Sequence, residues 1–316
     1  MAYSALSSRA IIGRFYQRYE QVLHSGWAQS IGWLNTETNQ EIETYKWLGQ
    51  SPQMREWVGG RLQKFLRVFS YELRNKKFES TLPISVDDRR RDKTGQIELR
   101  INELAKVAGE HWEDLLTDVI VANGLCYDGQ NFFDTDHVAG DSGTLQNDLD
   151  ASDIPALNVT LGSETATEMA KVIVGAIAYM YSYKDDRGRP MNGGAKQFAI
   201  MVPASLMGPT LQAITSERLD SGSSNPLQAF AAGGGISVKA IVNPRLDATS
   251  TSQLYLFRTD SEVKPFILQS EVDVQAQFIG EGSEEEVKND QHILGAKALR
   301  NAGYGLWQHA QRLQLS

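Results

Sequence analysis

One cysteine in 316 residues leaves no internal disulfide framework and fits a reducing compartment. No run of about eighteen apolar residues occurs, so no membrane-spanning helix is expected. The opening MAYSALSSRAIIGRFYQRYE is interrupted by arginines and tyrosines every few positions and does not read as a secretory signal. Basic residues are in deficit, 31 Lys and Arg against 39 Asp and Glu, for a net charge of −8. Gripping nucleic acid through its phosphates requires the opposite balance, which excludes a tight nucleic-acid binder but not a protein that stands beside nucleic acid. There is no solenoid-type repeat. There is no HExxH, and the run Ala232-Gly233-Gly234-Gly235 lacks both the Gly-Lys-Ser/Thr of a phosphate-binding loop and a strand–GxGxxG–helix context.

What remains is ordinary globular material, 41% hydrophobic and 22% charged, enough for one large domain or two to three subdomains. Apolar spacing predicts an amphipathic helix over Ile12–Gly26. The clearest signal covers 97–123. There Ile97, Ile101, Leu104, Ala108, Trp112, Leu115, Val119 and Ala122 step by threes and fours, while Glu103, Lys106, Glu110 and Asp114 take the opposite face. Asn123-Gly124 supplies a left-handed stop, and such a helix is about 40 Å long. Thr165 and Glu168 form a capping-box pattern ahead of a second helix. A third is expected over Ala204–Glu217. Strands are expected over Phe69–Phe78, Gln197–Val202, Ile236–Val242, Gln253–Phe257, Lys264–Gln269, Val272–Phe278 and Gly303–Trp307. The charged run Asp87–Lys93 reads as an exposed loop, and 220–235 as flexible. The whole is α+β.

The stretch most suggestive of chemistry is Cys126–His137, CYDGQNFFDTDH. Asp134, Asp136 and His137 offer oxygen and nitrogen ligands, which makes a metal-dependent hydrolase one reading. An EF-hand register started at Asp134 fails, because its fifth position is Val138. The competing reading is a structural turn: Asp128-Gly129 reverses the chain, Asp134 or Asp136 bonds backbone amides, and Phe132-Phe133 anchors the loop. Gly140-Asp141-Ser142-Gly143 resembles a serine-protease nucleophile segment, but Thr144 stands where a further glycine is usual and a long helix precedes it. Cys126, at the end of an apolar helix, reads as a buried inert thiol. No catalytic residue, cofactor or metal site is assigned on these grounds.

Four segments carry a resemblance: Tyr45-Lys-Trp-Leu-Gly49 with Arg55-Glu-Trp-Val-Gly59, Lys77-Phe-Glu-Ser-Thr81, the whole of Cys126–His137, and the pair Lys264-Pro-Phe266 and Gly303-Tyr-Gly-Leu-Trp307. In order and approximate spacing they resemble the major head (capsid) subunits of phage Mu and Mu-like prophages. The resemblance implies the tailed-phage capsid fold of the Hong Kong 97 type. Laid on that fold, 1–45 is an N-terminal arm and 46–94 an extended β-hairpin loop with its charged tip at Asp87–Lys93. Residues 95–195 are a peripheral domain with the spine helix 97–123, 196–250 most of an axial domain, and 251–316 a return to the peripheral domain.

It implies a structural protein rather than an enzyme, a subunit that forms hexamers and pentamers of an icosahedral head around double-stranded DNA. The implied partners are further copies of the chain, a scaffolding protein, a portal and a decoration protein, with the DNA adjacent but not read by sequence. The implied location is the virion, assembled in the bacterial host cytoplasm, with no membrane. An encapsulin-like cargo shell shares the fold and stays open as an alternative. Trp27, Trp33, Trp47 and Trp57 then become candidate interface anchors, as do Lys77, Asp87, Arg89, Arg90 and Arg91. The structural-turn residues are Asp128, Gly129, Asp134, Asp136 and His137. Nothing identifies an asparagine partner or a catalytic glutamate for Lys76 or Lys77, so covalent crosslinking between subunits is not expected.

Overall fold

The computed structural model describes residues 7–46, 48, 71–91, 95–220, 222–248 and 251–316. The chain opens with α1 (Ser8–Ser25), capped by the Ser7 hydroxyl, then a single turn α2 (Ala28–Ile31) and β1 (Gly32–Asn35). β2 (Ile42–Tyr45) pairs antiparallel with β3 (Tyr71–Arg74). β4 (Lys76–Ser85) follows, leading into α3 (Val86–Arg91) and the long α4 (Gln96–Ala122). After α4 come three two-residue strands, β5 (His137–Val138), β6 (Thr144–Leu145) and β7 (Asp148–Leu149). The capping box at Thr165 then starts α5 (Ala166–Tyr181). β8 (Gln197–Val202), α6 (Met207–Thr215), α7 (Pro226–Gly234), β9 (Ser237–Val242) and β10 (Gln253–Arg258) lead to a hairpin of two long strands. These are β11 (Phe266–Ile279) and β12 (Gln291–Tyr304), with α8 (Glu284–Asn289) at their turn; β13 (Ala310–Gln314) closes the chain.

Two sheets organise the described residues. One has the order β1-β11-β12-β4, with α1 and α4 laid across it. The other has the order β7-β13-β10-β8-β9, with α5 and Leu206 packed on its Phe198, Ile200, Leu254 and Leu256 face. Both sheets and α4 meet in a central core that holds Trp112, Leu116, Ile120, Phe132, Phe133, Phe257, Phe266 and Trp307. The α-helical period of α4 explains this position. Ile101, Leu104 and Ala105 face the first sheet, and Trp112, Leu116 and Ile120, two turns and more further on, face the central core.

Several expectations are corrected. The described part of the charged run is not a loop, since Val86–Arg91 is helical and Arg89 is only 8% exposed, while Asp92 and Lys93 lie outside the described residues. α3 follows β4, which lies at the edge of its sheet. The strand expected over 69–78 is two strands, divided at the buried Asn75, whose amide donates to Glu41 O at 2.8 Å. Residues 226–234 form α7, because Asn225 caps it and Pro226 sits at its first turn, outweighing the glycines at its end. The two strands expected over 264–278 are one strand with irregular register between Ser270 and Gln275. The third helix is a short 3-10 turn at Ala204–Leu206 followed by α6. Segments expected in different units also share one sheet: β10 and β13 come from 251–316, β8 and β9 from 196–250.

Candidate functional site

The loop after α4 is built from its glycine and asparagine positions outward. Asn123 takes the left-handed conformation at φ 45°, which ends the helix. Its side chain then imitates a strand, accepting from Phe133 N at 2.7 Å and donating to Phe133 O at 3.0 Å. A tight hairpin follows, with Cys126 N donating to Gln130 O and Gly129, at φ 88°, donating to Cys126 O. Phe132 and Phe133 turn inward, both at most 1% exposed. Phe132 lies 4.9 Å from Phe266 and 5.0 Å from Tyr304, centroid to centroid. Asn147 locks the return strand, accepting from Asp134 N and donating to Phe132 O and Trp307 O.

Several polar groups of this loop bond within the chain. His137 is fully buried, and its Nδ1–H donates to Asp128 Oδ2 at 2.7 Å. Its ring stacks on Trp307 at 4.1 Å. Asp134 accepts from Asn131 N and Thr135 N, while Asp136 is exposed. The hydrolase alternative is therefore corrected: Asp134 and Asp136 turn to backbone and solvent, His137 to Asp128 and Trp307. Among the described residues no group of three or more His, Cys, Asp or Glu side chains is placed to hold a metal ion. Cys126 is buried, its thiol directed at Gly305 O, and burial followed by the nearby Asp128 charge pushes its pKa well up, away from nucleophilic use. Ser142 of the Gly140–Gly143 segment is also occupied, accepting from Ala139 N and donating to Gly143 O. Gly140 has a structural cause as well, because at φ 59° a Cβ there would stand 2.4 Å from Asp186 O.

Three of the segments singled out in the sequence meet here. Gly124 N donates to Tyr304 Oη, which donates on to Val119 O. Tyr127 Oη donates to Gln308 Oε1. Gly305 N donates to Pro265 O at 2.8 Å, and a Cβ on Gly305 would stand 2.6 Å from Lys264 O. Tyr45 donates to Gln269 Oε1 at 2.8 Å, and Tyr45 and Leu48 belong to the same central core. The loop, the Lys264–Phe266 segment, the closing Gly303–Trp307 segment and Tyr45 are thus one packed knot, while Lys77–Thr81 lies on β4 and Arg55–Gly59 lies outside the described residues.

The interface candidates divide. Trp27 and Trp33 are half-buried against the chain's own central core, and Trp33 meets Tyr45 edge to face at 6.3 Å. Trp47 and Trp57 lie outside the described residues. Lys77 is exposed on the edge strand β4. Arg90 and Arg91 are exposed and both pair with Asp87 at 2.9 Å. Arg89 is corrected from surface to interior: it donates to His292 Nδ1 at 3.0 Å, meets Glu281 at 3.3 Å and lies over Phe278. A buried arginine in a run of charges carries no local sequence signal, since its partners lie on the distant β11–β12 hairpin.

The profile of the family described as "Mu-like prophage major head subunit gpT" matches residues 10–160 and 232–315. The major head subunit of the Mu-like prophage FluMu of Haemophilus influenzae is 39% identical over 99 residues, 31% of this chain and 32% of that protein. The major capsid protein of Escherichia phage Mu is 38% identical over 97 residues, 30% of this chain and 32% of that protein. The aligned stretch thus spans about a third of the length of either relative. The procapsid of bacteriophage JBD30 matches in fold at TM-score 0.54 and 20% identity, covering 98% of this chain and 75% of that chain. The α+β fold is that of tailed-phage capsid proteins, as the resemblance implied. With most of its length matched by the family profile, the chain belongs to the Mu-like prophage major head subunit family.

Proposed function

We propose that the chain is the major capsid subunit of a tailed phage, a structural protein that self-assembles into hexamers and pentamers of an icosahedral head around double-stranded DNA. The observation that carries this reading is the knot at the end of α4. Tyr45 and several residues of Cys126–His137, Lys264–Phe266 and Gly303–Trp307, which carry the resemblance, are its packing centre, and Tyr45, Tyr127, Asp128 and His137 make internal hydrogen bonds there. In this reading α4 is the spine helix and the β2–β3 pair is the stem of the extended loop. The sheet β1-β11-β12-β4 with α1 and α4 forms the peripheral domain. The five-stranded sheet with α5, α6 and α7 forms the axial domain, a grouping that follows the shared core of α5, β8, β10 and β13. The surface anchors are Lys77, Asp87, Arg90 and Arg91, with the half-buried Trp27 and Trp33. Scaffolding protein, portal and decoration protein are the further partners, and the mature location is the virion. A net charge of −8 suits a wall that must not hold packaged DNA tightly.

Electron microscopy of the purified protein tests this. Closed shells some tens of nanometres across are expected, and shells isolated from infected or induced cells are expected to hold DNA. A monodisperse monomer that never assembles would sink the proposal, and shells that hold a protein cargo instead of DNA favour the encapsulin-like alternative.

A further inference from the structure

We propose that the outer face of α4 is a two-fold contact, on which a second copy of the chain packs its own α4 in the antiparallel direction. In the capsid reading, on which this inference rests, it is the contact that joins one ring of subunits to the next. The other faces of α4 are used by the chain itself. Ile101, Leu104 and Ala105 pack on the first sheet, Gly109 meets Val22 of α1, and His111 Nδ1 accepts the Arg300 Nε–H of β12 at 2.9 Å. The remaining face carries Leu99, Glu103, Lys106 and Glu110, spaced four, three and four residues apart and so on one line, with Arg100 and Val107 beside it. Leu99 is 62% and Val107 56% exposed. One exposed apolar side chain is ordinary, but two on the same helical face leave apolar area for a partner to cover.

The order of charge on this face selects the partner. Arg100, Glu103, Lys106 and Glu110 alternate in sign: plus, minus, plus, minus. Read backwards the order is minus, plus, minus, plus, so an antiparallel copy sets an opposite charge against each one. With the dyad between Leu104 and Ala105, Glu103 faces Lys106 of the second copy and Lys106 faces its Glu103. Arg100 and Glu110 pair in the same way, offset by about 1.5 Å along the axis. Leu99 of one copy then lies within a helical turn of Val107 of the other. Inside the single chain these charges are loosely held, with Arg100–Glu103 at 3.5 Å and Lys106–Glu110 at 3.6 Å, both pairs in solvent. Such pairs contribute little where they are and gain when a contact partly desolvates them. A parallel copy would set like charges together, and a partner of one charge sign meets two repulsions for two attractions.

Charge reversal tests the dyad. Glu103→Lys and Lys106→Glu each put like charges together at both symmetric positions. Each is expected to lower the assembled fraction at least fivefold, read by sedimentation at equal protein concentration, while the unassembled chain melts near the wild-type temperature. An equal mixture of the two variants is expected to assemble as the wild type does, since one presents two cations at the paired positions and the other two anions. Carrying both reversals in one chain is expected to restore assembly as well. A role inside one chain would not be rescued by mixing. Either variant assembling normally by itself overturns the contact, as does a mixture that assembles no better than its parts; wild-type shells in the same experiment would leave the capsid reading standing. If the wild-type chain forms no shells, the capsid reading fails and the contact is read from the smaller species. A reversible dimer that each variant loses and the mixture recovers supports it, and a monomer at every concentration overturns it.

Discussion

At the scale of single residues, the Asp128–His137 pair shows why polar side chains are found at the centre of a structural protein. Both side chains are at most 5% exposed, and the pair joins the Gly129 turn to the Trp307 segment. Removing one partner strands the other in a low-dielectric core. Asp128→Ala is expected to lower stability by about 3 kcal/mol, read as a fall in the urea midpoint, with Asp128→Asn milder because it keeps a hydrogen-bond acceptor. Cys126 gives a second residue-level expectation: a thiol reagent labels it only in denaturant, and labelling of the native protein at a rate near that of a free thiol would contradict the buried placement. Two other histidines set the pH response. Burial, then the Arg300 charge, lowers His111 to about 4, and burial, then Arg258, lowers His309 to about 4. The ordinary value is near 6.5, so between the two values the unfolded chain binds more protons than the folded one. The stability held by the neutral rings is complete above about 6.5 and is lost as pH falls toward 4. The urea midpoint is therefore expected to drop between pH 7 and pH 5. His111→Gln, which still offers Arg300 an acceptor, is expected to make that drop smaller.

At the scale of elements, the join between α1 and α4 depends on one absent side chain. A Cβ on Gly109 would stand 2.8 Å from Val22 Cγ1 and 3.4 Å from Tyr19 O, so the helices touch at backbone distance. Gly109→Val is expected to cost about 1–3 kcal/mol by overpacking despite removing a helical glycine. An unchanged melting temperature would show that the helices can separate freely. This contact could not be read from the sequence, where Gly109 is only a small residue on an otherwise clear helix. The helix itself was legible because its apolar spacing is strong over seven turns. So was α5, whose capping box is a local signal. β12 was legible only at its end. Up to Ala302 its buried positions are His292, Leu294, Ala296, Ala298, Arg300 and Ala302, a period-two pattern written mostly in alanine, histidine and arginine instead of β-branched residues. Arg300 and His111 were missed for the same reason that Arg89 was misplaced. What makes a buried charge tolerable is a partner hundreds of residues away, and nothing in the local sequence reports it.

At the scale of the whole molecule, folding and assembly make separable demands, because the knot and the exposed charges lie on different parts of the chain. The knot needs Gly305 to be glycine, since the atoms that a Cβ would meet are main-chain oxygens of Lys264 and Pro265, which have no rotamer to change. Gly305→Ala is therefore expected to reduce soluble, folded protein before any question of assembly arises. Arg90 and Arg91 are the opposite case. Their side chains are 74% and 70% exposed, and their partner Asp87 is on the same helical turn. Such pairs contribute little to the monomer, about 0.5 kcal/mol or less. Their proposed value is in register between subunits, where opposed charges are brought together and partly desolvated. Replacing both with alanine is expected to leave the melting temperature of the unassembled chain nearly unchanged and to lower the yield of shells at least tenfold, measured by sedimentation at equal protein concentration. Shells formed at the normal yield would remove these arginines from the interface and leave the half-buried Trp27 and Trp33, with Lys77, as the contacts to test next.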